Sequence, residues 1–302
     1  MGKVAFVFSG QGAQYSGMGK SLYEHSAAAK NVFDTAESIR PGTKNQCFSG
    51  TLEEISITKN TQPCLFCVDL AAAEALREAG ITPDMTAGFS LGEVAAVTFA
   101  GIFTTEEGFS LVTKRGEAMQ AAAEQADSAM AAVLKLPNEK VEELCRMHQS
   151  VFPVNYNCPG QLVIAGEKAA LAEAIENCKA AGARRALPLA VSGAFHTPLM
   201  AKAAAELRAY VADFTFSAPK MDIYSNLDGK VYDCSDLPAH LEQHMISPVR
   251  WTQLVKNGMA AGLTSACEIG PGKTLTGFAG KISKELTCKT VQDMAGVQAA
   301  AE

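Results

Sequence analysis

The sequence predicts an α/β fold: a core with a parallel sheet, carrying an inserted ferredoxin-like (βαββαβ) small domain. Three observations predict it. Short apolar runs alternate with helical stretches in the first part of the chain. A Gly-x-Ser-x-Gly turn at Gly88–Gly92 joins one such run to one such helix. From about Ser128 the order of elements changes to β-α-β-β-α-β. At 302 residues the chain has room for about two domains.

Residues Lys3–Phe8 form an apolar run of β-branched and aromatic character, which reads as a buried strand. Gly10-Gln-Gly-Ala-Gln14 is then a loop. Residues 65–79 are apolar on most faces and suit a buried helix. Residues 85–89 read as a second short strand, and 91–100 as a helix rich in Ala and Val. Residues 105–123 read as another helix, opened by Thr104 or Thr105 with two glutamates in the first turn. In the second unit, 129–136 is strand-like, 138–148 helical, 151–157 and 161–166 strand-like, 168–181 helical, and 186–191 a strand. Helix (199–214) and short strands (223–225, 265–269) follow. The Ala-rich tail, 295–302, is expected to fray. These limits divide the chain into a discontinuous core domain, residues 1–126 and 196–302, and a small domain, residues 127–195.

Composition excludes several classes. Hydrophobic residues are 48% and charged residues 19%, which excludes disorder as the main state. A net charge of −6 lacks the basic footprint of nonspecific nucleic-acid binding. The uncharged stretch at 186–201 is too short and too polar to span a bilayer, and the N-terminus lacks an export signal. Nine scattered cysteines read as reduced thiols, so a cytoplasmic protein is expected. Cys64-Leu-Phe-Cys67 has redox spacing, but two buried helix cysteines is the better reading.

The chemistry-bearing motif is Gly88-Phe-Ser90-Leu-Gly92, with Glu93 next. After a strand and before a helix it reads as a nucleophile elbow, whose strained turn exposes the hydroxyl at a helix N-terminus. A chance match in a Gly- and Ala-rich chain is the alternative. A serine needs a base. Among five histidines, His196 in Ser192-Gly-Ala-Phe-His-Thr-Pro198 sits in a loop before a helix, where catalytic residues concentrate. His240 and His244 lack the zinc-protease pattern, because Leu241 stands where its Glu is required; they read as a surface helix, and no metal is expected. Gly272-Lys-Thr274 fails as a phosphate loop at Cys267, and Gly10-x-Gly12 fails as a dinucleotide fingerprint at Tyr15. No cofactor is expected. The order Ser, small unit, His, with a long segment after His196, fits poorly with a plain α/β-hydrolase esterase.

At this point the residues resemble a family, the malonyl-CoA:acyl carrier protein transacylases. The resemblance runs over nearly the whole chain: Gly10-Gln-Gly-Ala-Gln14, Gly88-Phe-Ser-Leu-Gly-Glu93, Lys114-Arg-Gly-Glu-Ala-Met119, Asn155-Tyr-Asn-Cys-Pro-Gly-Gln161, Gly193-Ala-Phe-His196, Pro248-Val-Arg-Trp251 and Glu268-Ile-Gly-Pro-Gly-Lys273. It implies a hydrolase-like core with a ferredoxin-like insert and the active site between them. It implies Ser90 as nucleophile and His196 as base, with the amides of Gln11 and Leu91 as oxyanion hole. Arg115 would hold the malonyl carboxylate. Phe195, Met119 and Asn157 would line the substrate site, and the main-chain carbonyl of Arg250 would orient the imidazole. Two positions depart from the family pattern: Phe89 stands where His is common, and Ser247 where Asn is common.

The implied reaction is ping-pong transfer of malonyl from malonyl-CoA to the phosphopantetheine thiol of acyl carrier protein. A serine hydrolase or thioesterase acting on an acyl-CoA is the alternative. Expected partners are malonyl-CoA and acyl carrier protein, with no nucleic acid and no membrane, and the chain is expected to be a monomer. Acidic carrier proteins need a local basic patch, for which Arg184, Arg185, Lys273, Lys281 and Lys284 are candidates.

Overall fold

A computed structural model describes residues 2–302. Its strands are β1 (Lys3–Phe8), β2 (Met85–Gly88), β3 (Ser128–Leu134), β4 (Val151–Cys158), β5 (Gln161–Glu167), β6 (Arg185–Pro188), β7 (Asp222–Tyr224), β8 (Leu263–Ile269) and β9 (Thr287–Val291). Its helices are α1 (Lys20–His25), α2 (Ala27–Ile39), α3 (Thr43–Ser49), α4 (Leu52–Ile55), α5 (Thr58–Glu78), α6 (Leu91–Phe99), α7 (Thr105–Gln125), α8 (Asn138–Arg146), α9 (Lys168–Ala180), α10 (Ala201–Val211), α11 (Leu237–Ile246), α12 (Trp251–Ala260), α13 (Thr274–Ile282) and α14 (Met294–Ala301). Among the described residues no helix is long and apolar enough to cross a membrane.

The core sheet is parallel throughout, in the order β7-β2-β1-β8-β9. Its central strand, β1, is covered on both faces and so reads as a continuous apolar run rather than an alternating one. Phe6 and Phe8 point to one side, where both rings meet Phe99 of α6. Ala5 and Val7 point to the other, into a cluster with Trp251, Leu254 and Phe278. On the first side α5 is buried along nearly its whole length. It starts at Thr58, earlier than the sequence implies, and contains Pro63. The proline lacks one ladder donor, but the burial of residues 60–73 outweighs that loss. Cys64 and Cys67 lie on this helix, free and buried, and burial pushes the Cys67 thiol well above its ordinary range.

The second sheet is antiparallel, in the order β4-β5-β3-β6. Helices α8 and α9 cover one face, with Val133, Leu144, Ile164 and Leu171 between. This is the βαββαβ arrangement expected. The strand expected at 186–191 stops at Pro188, and Leu189 and Val191 turn towards the cleft between the sheets. The small sheet is tied to the core at Val249, in the segment leading into α12. Its N–H donates to the carbonyl of Val154 (2.8 Å), and its carbonyl accepts the N–H of Tyr156 (2.9 Å). The segment before α12 thus pairs with β4 of the small sheet.

The tail does not fray. Residues Met294–Ala301 form α14, capped by Asp293, whose Oδ1 accepts the Gly296 N–H (2.8 Å). Val297 is buried, and that one apolar anchor with a good cap overrides the weak local pattern.

Candidate active site

The elbow is built by two glycines. A Cβ on Gly88 would meet the backbone of Gly92, and one on Gly92 the carbonyls of Phe8 and Ser9. Only glycine lets β2, the turn and α6 approach so closely. Ser90 sits at the crest with φ 53° and ψ −109°, a conformation that costs a non-glycine residue about 1–3 kcal/mol. Asn226, just after β7, holds the turn from both sides. Its Oδ1 accepts the Ser90 N–H (2.8 Å) and its Nδ2 donates to the Gly88 carbonyl (2.6 Å).

His196 also has left-handed backbone, φ 62°. Its Nε2 lies 2.8 Å from Ser90 Oγ. Its Nδ1 faces the carbonyls of His244 (3.0 Å) and Ser247 (3.2 Å). Two carbonyl acceptors place the proton on Nδ1 and leave the Nε2 lone pair towards the serine. The carbonyl of Arg250, expected in this role, is elsewhere. Arg250 is the N-cap of α12, and its carbonyl accepts the N–H of Leu254 (2.9 Å). Its guanidinium lies over the Tyr156 ring.

The surface reading of His240 and His244 is also corrected. His244 is buried at 1% exposure and His240 is partly buried; both face Glu93, with His240 Nε2 at 3.4 Å and His244 Nδ1 at 3.6 Å from Oε1. Glu93 is itself fully enclosed. Its Oε2 accepts the Asn226 N–H (2.7 Å) and its Oε1 the Tyr232 hydroxyl (2.8 Å). Burial alone would raise the Glu93 carboxyl; His244, His240 and the Asn226 N–H outweigh it and hold it at about 2. Burial holds His244 down at about 4 against the pull of Glu93. At neutral pH the pair is therefore a carboxylate beside a neutral imidazole. Burial, then His244 and Arg115, hold His196 down at about 3, so it is an unprotonated acceptor at neutral pH.

Arg115 comes from the middle of α7 and is buried at 1% exposure. Its Nη1 donates to Gln62 Oε1 (2.8 Å) and its Nη2 to Ser90 Oγ (3.3 Å), while Nε has no partner. Among the described residues it makes no ion pair. Burial pulls the guanidinium down to about 10, partly offset by Glu93, so it stays charged at neutral pH. A buried cation without a counter-ion is costly unless a ligand supplies one.

Ser90, His196 and Arg115 open on a cleft of about 510 Å³ between the sheets, lined also by Gln11, Leu91, Met119 and Phe195. Leu91 is the first residue of α6, so its N–H is one of the helix's free donors. Asn157 is placed apart from these, in an adjoining chamber of about 720 Å³ that shares Gln11, Phe89 and Asn155 with the first. The Oδ1 atoms of Asn155 and Asn157 are buried without partners. Phe89 forms the wall between the chambers, packed edge-on against Trp251 (5.5 Å) and tilted against Phe278 (6.2 Å).

The chain matches the acyl transferase domain family over residues 5–298. It is 39% identical over 299 residues to a malonyl CoA-acyl carrier protein transacylase of Bacillus subtilis, covering 97% of this chain and 94% of that one. It is 37% identical to the Escherichia coli K12 protein of the same name, over the full length of both. The chain belongs to the malonyl CoA-acyl carrier protein transacylase family. Solved members of this transacylase family superpose closely. An acyl carrier protein S-malonyltransferase from Vibrio cholerae matches at TM-score 0.94 and 38% identity, covering 99% of each chain. A malonyl-transacylase solved in complex with its type II PKS acyl-carrier protein matches at 0.95 and 36% identity, also covering 99% of each. As a member of this family the chain is an acyltransferase.

Sequence reasoning missed four residues of the transacylase site: Asn226, Gln62, Glu93 as a buried hub, and the His244 side chain. Only Glu93 carried a local signal, its place beside the elbow. Of the basic residues singled out, Arg184, Arg185 and Lys281 line one open cleft with Lys135, and this cleft shares Gln161 with the Asn157 chamber. Lys273 and Lys284 do not line it.

Proposed function

We propose that this acyltransferase moves a malonyl group from malonyl-CoA to the phosphopantetheine thiol of an acyl carrier protein, through a malonyl-serine at Ser90. The observation that carries the reading is Arg115: a buried cation lacking a carboxylate partner, with one arm 3.3 Å from the nucleophile oxygen. Such a group selects an acyl chain whose far end is a carboxylate. The names of the relatives point the same way.

In the first half-reaction the Ser90 hydroxyl donates its proton to His196 Nε2 as Oγ attacks the thioester carbonyl. The developing oxyanion faces the amides of Gln11 and Leu91, where the N-terminus of α6 adds its dipole. The C–S bond then breaks, and the departing thiolate takes the proton from His196. The acceptor thiol repeats the steps in reverse. Met119 and Phe195 shape the acyl chamber, and the Phe195 ring crowds a branched α-carbon. A single methyl is worth only about 1–3 kcal/mol, so that discrimination is leaky. The unpartnered Oδ1 acceptors of Asn155 and Asn157 suit an arm that carries amide N–H donors, as pantetheine does.

The test is intact mass after mixing with malonyl-CoA and again after adding carrier protein. A gain of one malonyl group, absent in Ser90→Ala and discharged by the carrier, is expected. No lasting adduct, with steady release of CoA and malonate, would make the protein a hydrolase instead.

A further inference from the structure

We propose that Glu93 is a positioning residue for acyl transfer: it ties the nucleophile turn to the base-orienting turn and supplies the negative charge that the Ser90–His196 pair lacks. This rests on the reading of Ser90 and His196 given above.

The pair needs such a charge. When His196 takes the serine proton it becomes an imidazolium, in a buried place beside the Arg115 cation. Its Nδ1–H meets two main-chain carbonyls, which orient the ring but carry no net charge. Glu93 is the buried anion whose contacts reach both reacting residues. One arm runs from Oε2 to the Asn226 N–H, and the Asn226 side chain bridges Gly88 and Ser90. The other runs from Oε1 to His244 Nδ1, and the same His244 offers its carbonyl to His196. The two imidazole rings lie 5.7 Å apart. His244 Nε2 has no partner, so Glu93 is the polar anchor of that side chain.

Other buried carboxyls in the core are otherwise engaged. Both oxygens of Glu268 accept N–H groups at the start of α13, from Leu275 and Thr276. Asp69 accepts from Ser9 Oγ, and its burial pushes its carboxyl well above the usual range, which disfavours the charge there. Glu93 is ionised, and no lysine or arginine among the described residues pairs with it. Its charge lies one imidazole away from the proton that moves. At that range, in partly screened surroundings, a unit charge changes a proton-transfer step roughly tenfold.

The experiment uses the full chain as Glu93→Gln, Glu93→Asp, His244→Gln and the Glu93→Gln/His244→Gln double variant, with Ser90→Ala alongside. Steady-state kcat and KM for malonyl-CoA are measured, with the rate of Ser90 acylation and the melting temperature. Glu93→Gln keeps the length and loses the charge; it is expected to lower kcat roughly tenfold with KM unchanged. Glu93→Asp keeps the charge and loses less. His244→Gln keeps the main-chain carbonyl and is expected to show a similar loss, and the double variant no further loss, because the two act as one unit. Unchanged kcat in Glu93→Gln, strictly additive losses, or a loss seen in KM rather than kcat would overturn the proposal. If Glu93→Gln does not fold, His244→Gln decides alone, and unchanged kcat there overturns it. Activity retained in Ser90→Ala would instead overturn the nucleophile assignment on which the proposal stands.

Discussion

Ser90 and His196, 106 positions apart, both adopt left-handed backbone, with φ 53° and 62°, and meet through a 2.8 Å contact between Oγ and Nε2. Neither residue type prefers that conformation, and each costs about 1–3 kcal/mol. The surrounding hydrogen bonds, from Asn226 on one side and from the carbonyls of His244 and Ser247 on the other, hold both in place.

Strain at Ser90 is expected to surface when the side chain is removed. Ser90→Gly, free of the Cβ penalty, should melt roughly 2–4 °C above the parent, while Ser90→Ala should show no such gain. Calorimetry on the two variants checks this. Equal melting temperatures would mean that the elbow stores no strain.

Arg115→Met removes the unpaired buried cation. The malonyl-to-acetyl ratio of kcat/KM is expected to fall by about 100-fold or more, since a carboxylate left unpaired there costs about 3–5 kcal/mol. The free protein should become more stable, because in it the guanidinium lacks a counter-ion. Competition between the two acyl-CoAs, followed by mass of the acyl-serine, measures the first effect. A melting curve measures the second.

Acid should weaken the fold through the site. His196 and His244 are held at about 3 and about 4, below the ordinary 6.5. Below 6.5 the unfolded chain binds protons that the folded chain refuses. Stability is thus full above that pH and falls progressively towards 4 and then 3. Glu93, held at about 2 against an ordinary 4.5, adds a loss of the same sign between those two values, overlapping the lower part of the histidine range. His244→Gln should flatten the melting temperature's dependence on pH between 6.5 and 4. A dependence as steep as the parent's would show that His244 is not part of it.

The cleft of Lys135, Arg184, Arg185 and Lys281 is basic in a chain of net charge −6. Arg185→Glu and Lys281→Glu are expected to raise KM for an acidic carrier protein and to flatten its salt dependence. Kinetics at two ionic strengths suffice. An unchanged salt slope would place docking elsewhere.

Much of this architecture was legible in the sequence, because its signals are local. A parallel strand such as β1 is one apolar run, and the elbow's glycines are two residues either side of Ser90. His196 stood out by its loop. What escaped depends on distant partners. The i, i+4 pair His240 and His244 lies among polar neighbours on α11 and reads as a solvated face. It is buried because Glu93, far off in sequence, meets it. The orienting carbonyl was misplaced at Arg250 because a backbone acceptor leaves no mark in residue type; the start of α12 consumes that carbonyl. Asn226 follows a three-residue strand and has no motif around it.

The pairing of Val249 with β4 places the two carbonyls that orient His196 just upstream of the point where the core grips the small sheet. Cleft width and imidazole aim are thereby parts of one mechanical coordinate. Any displacement of the small sheet relative to the core would therefore be transmitted, within five residues, to the segment whose carbonyls set the base.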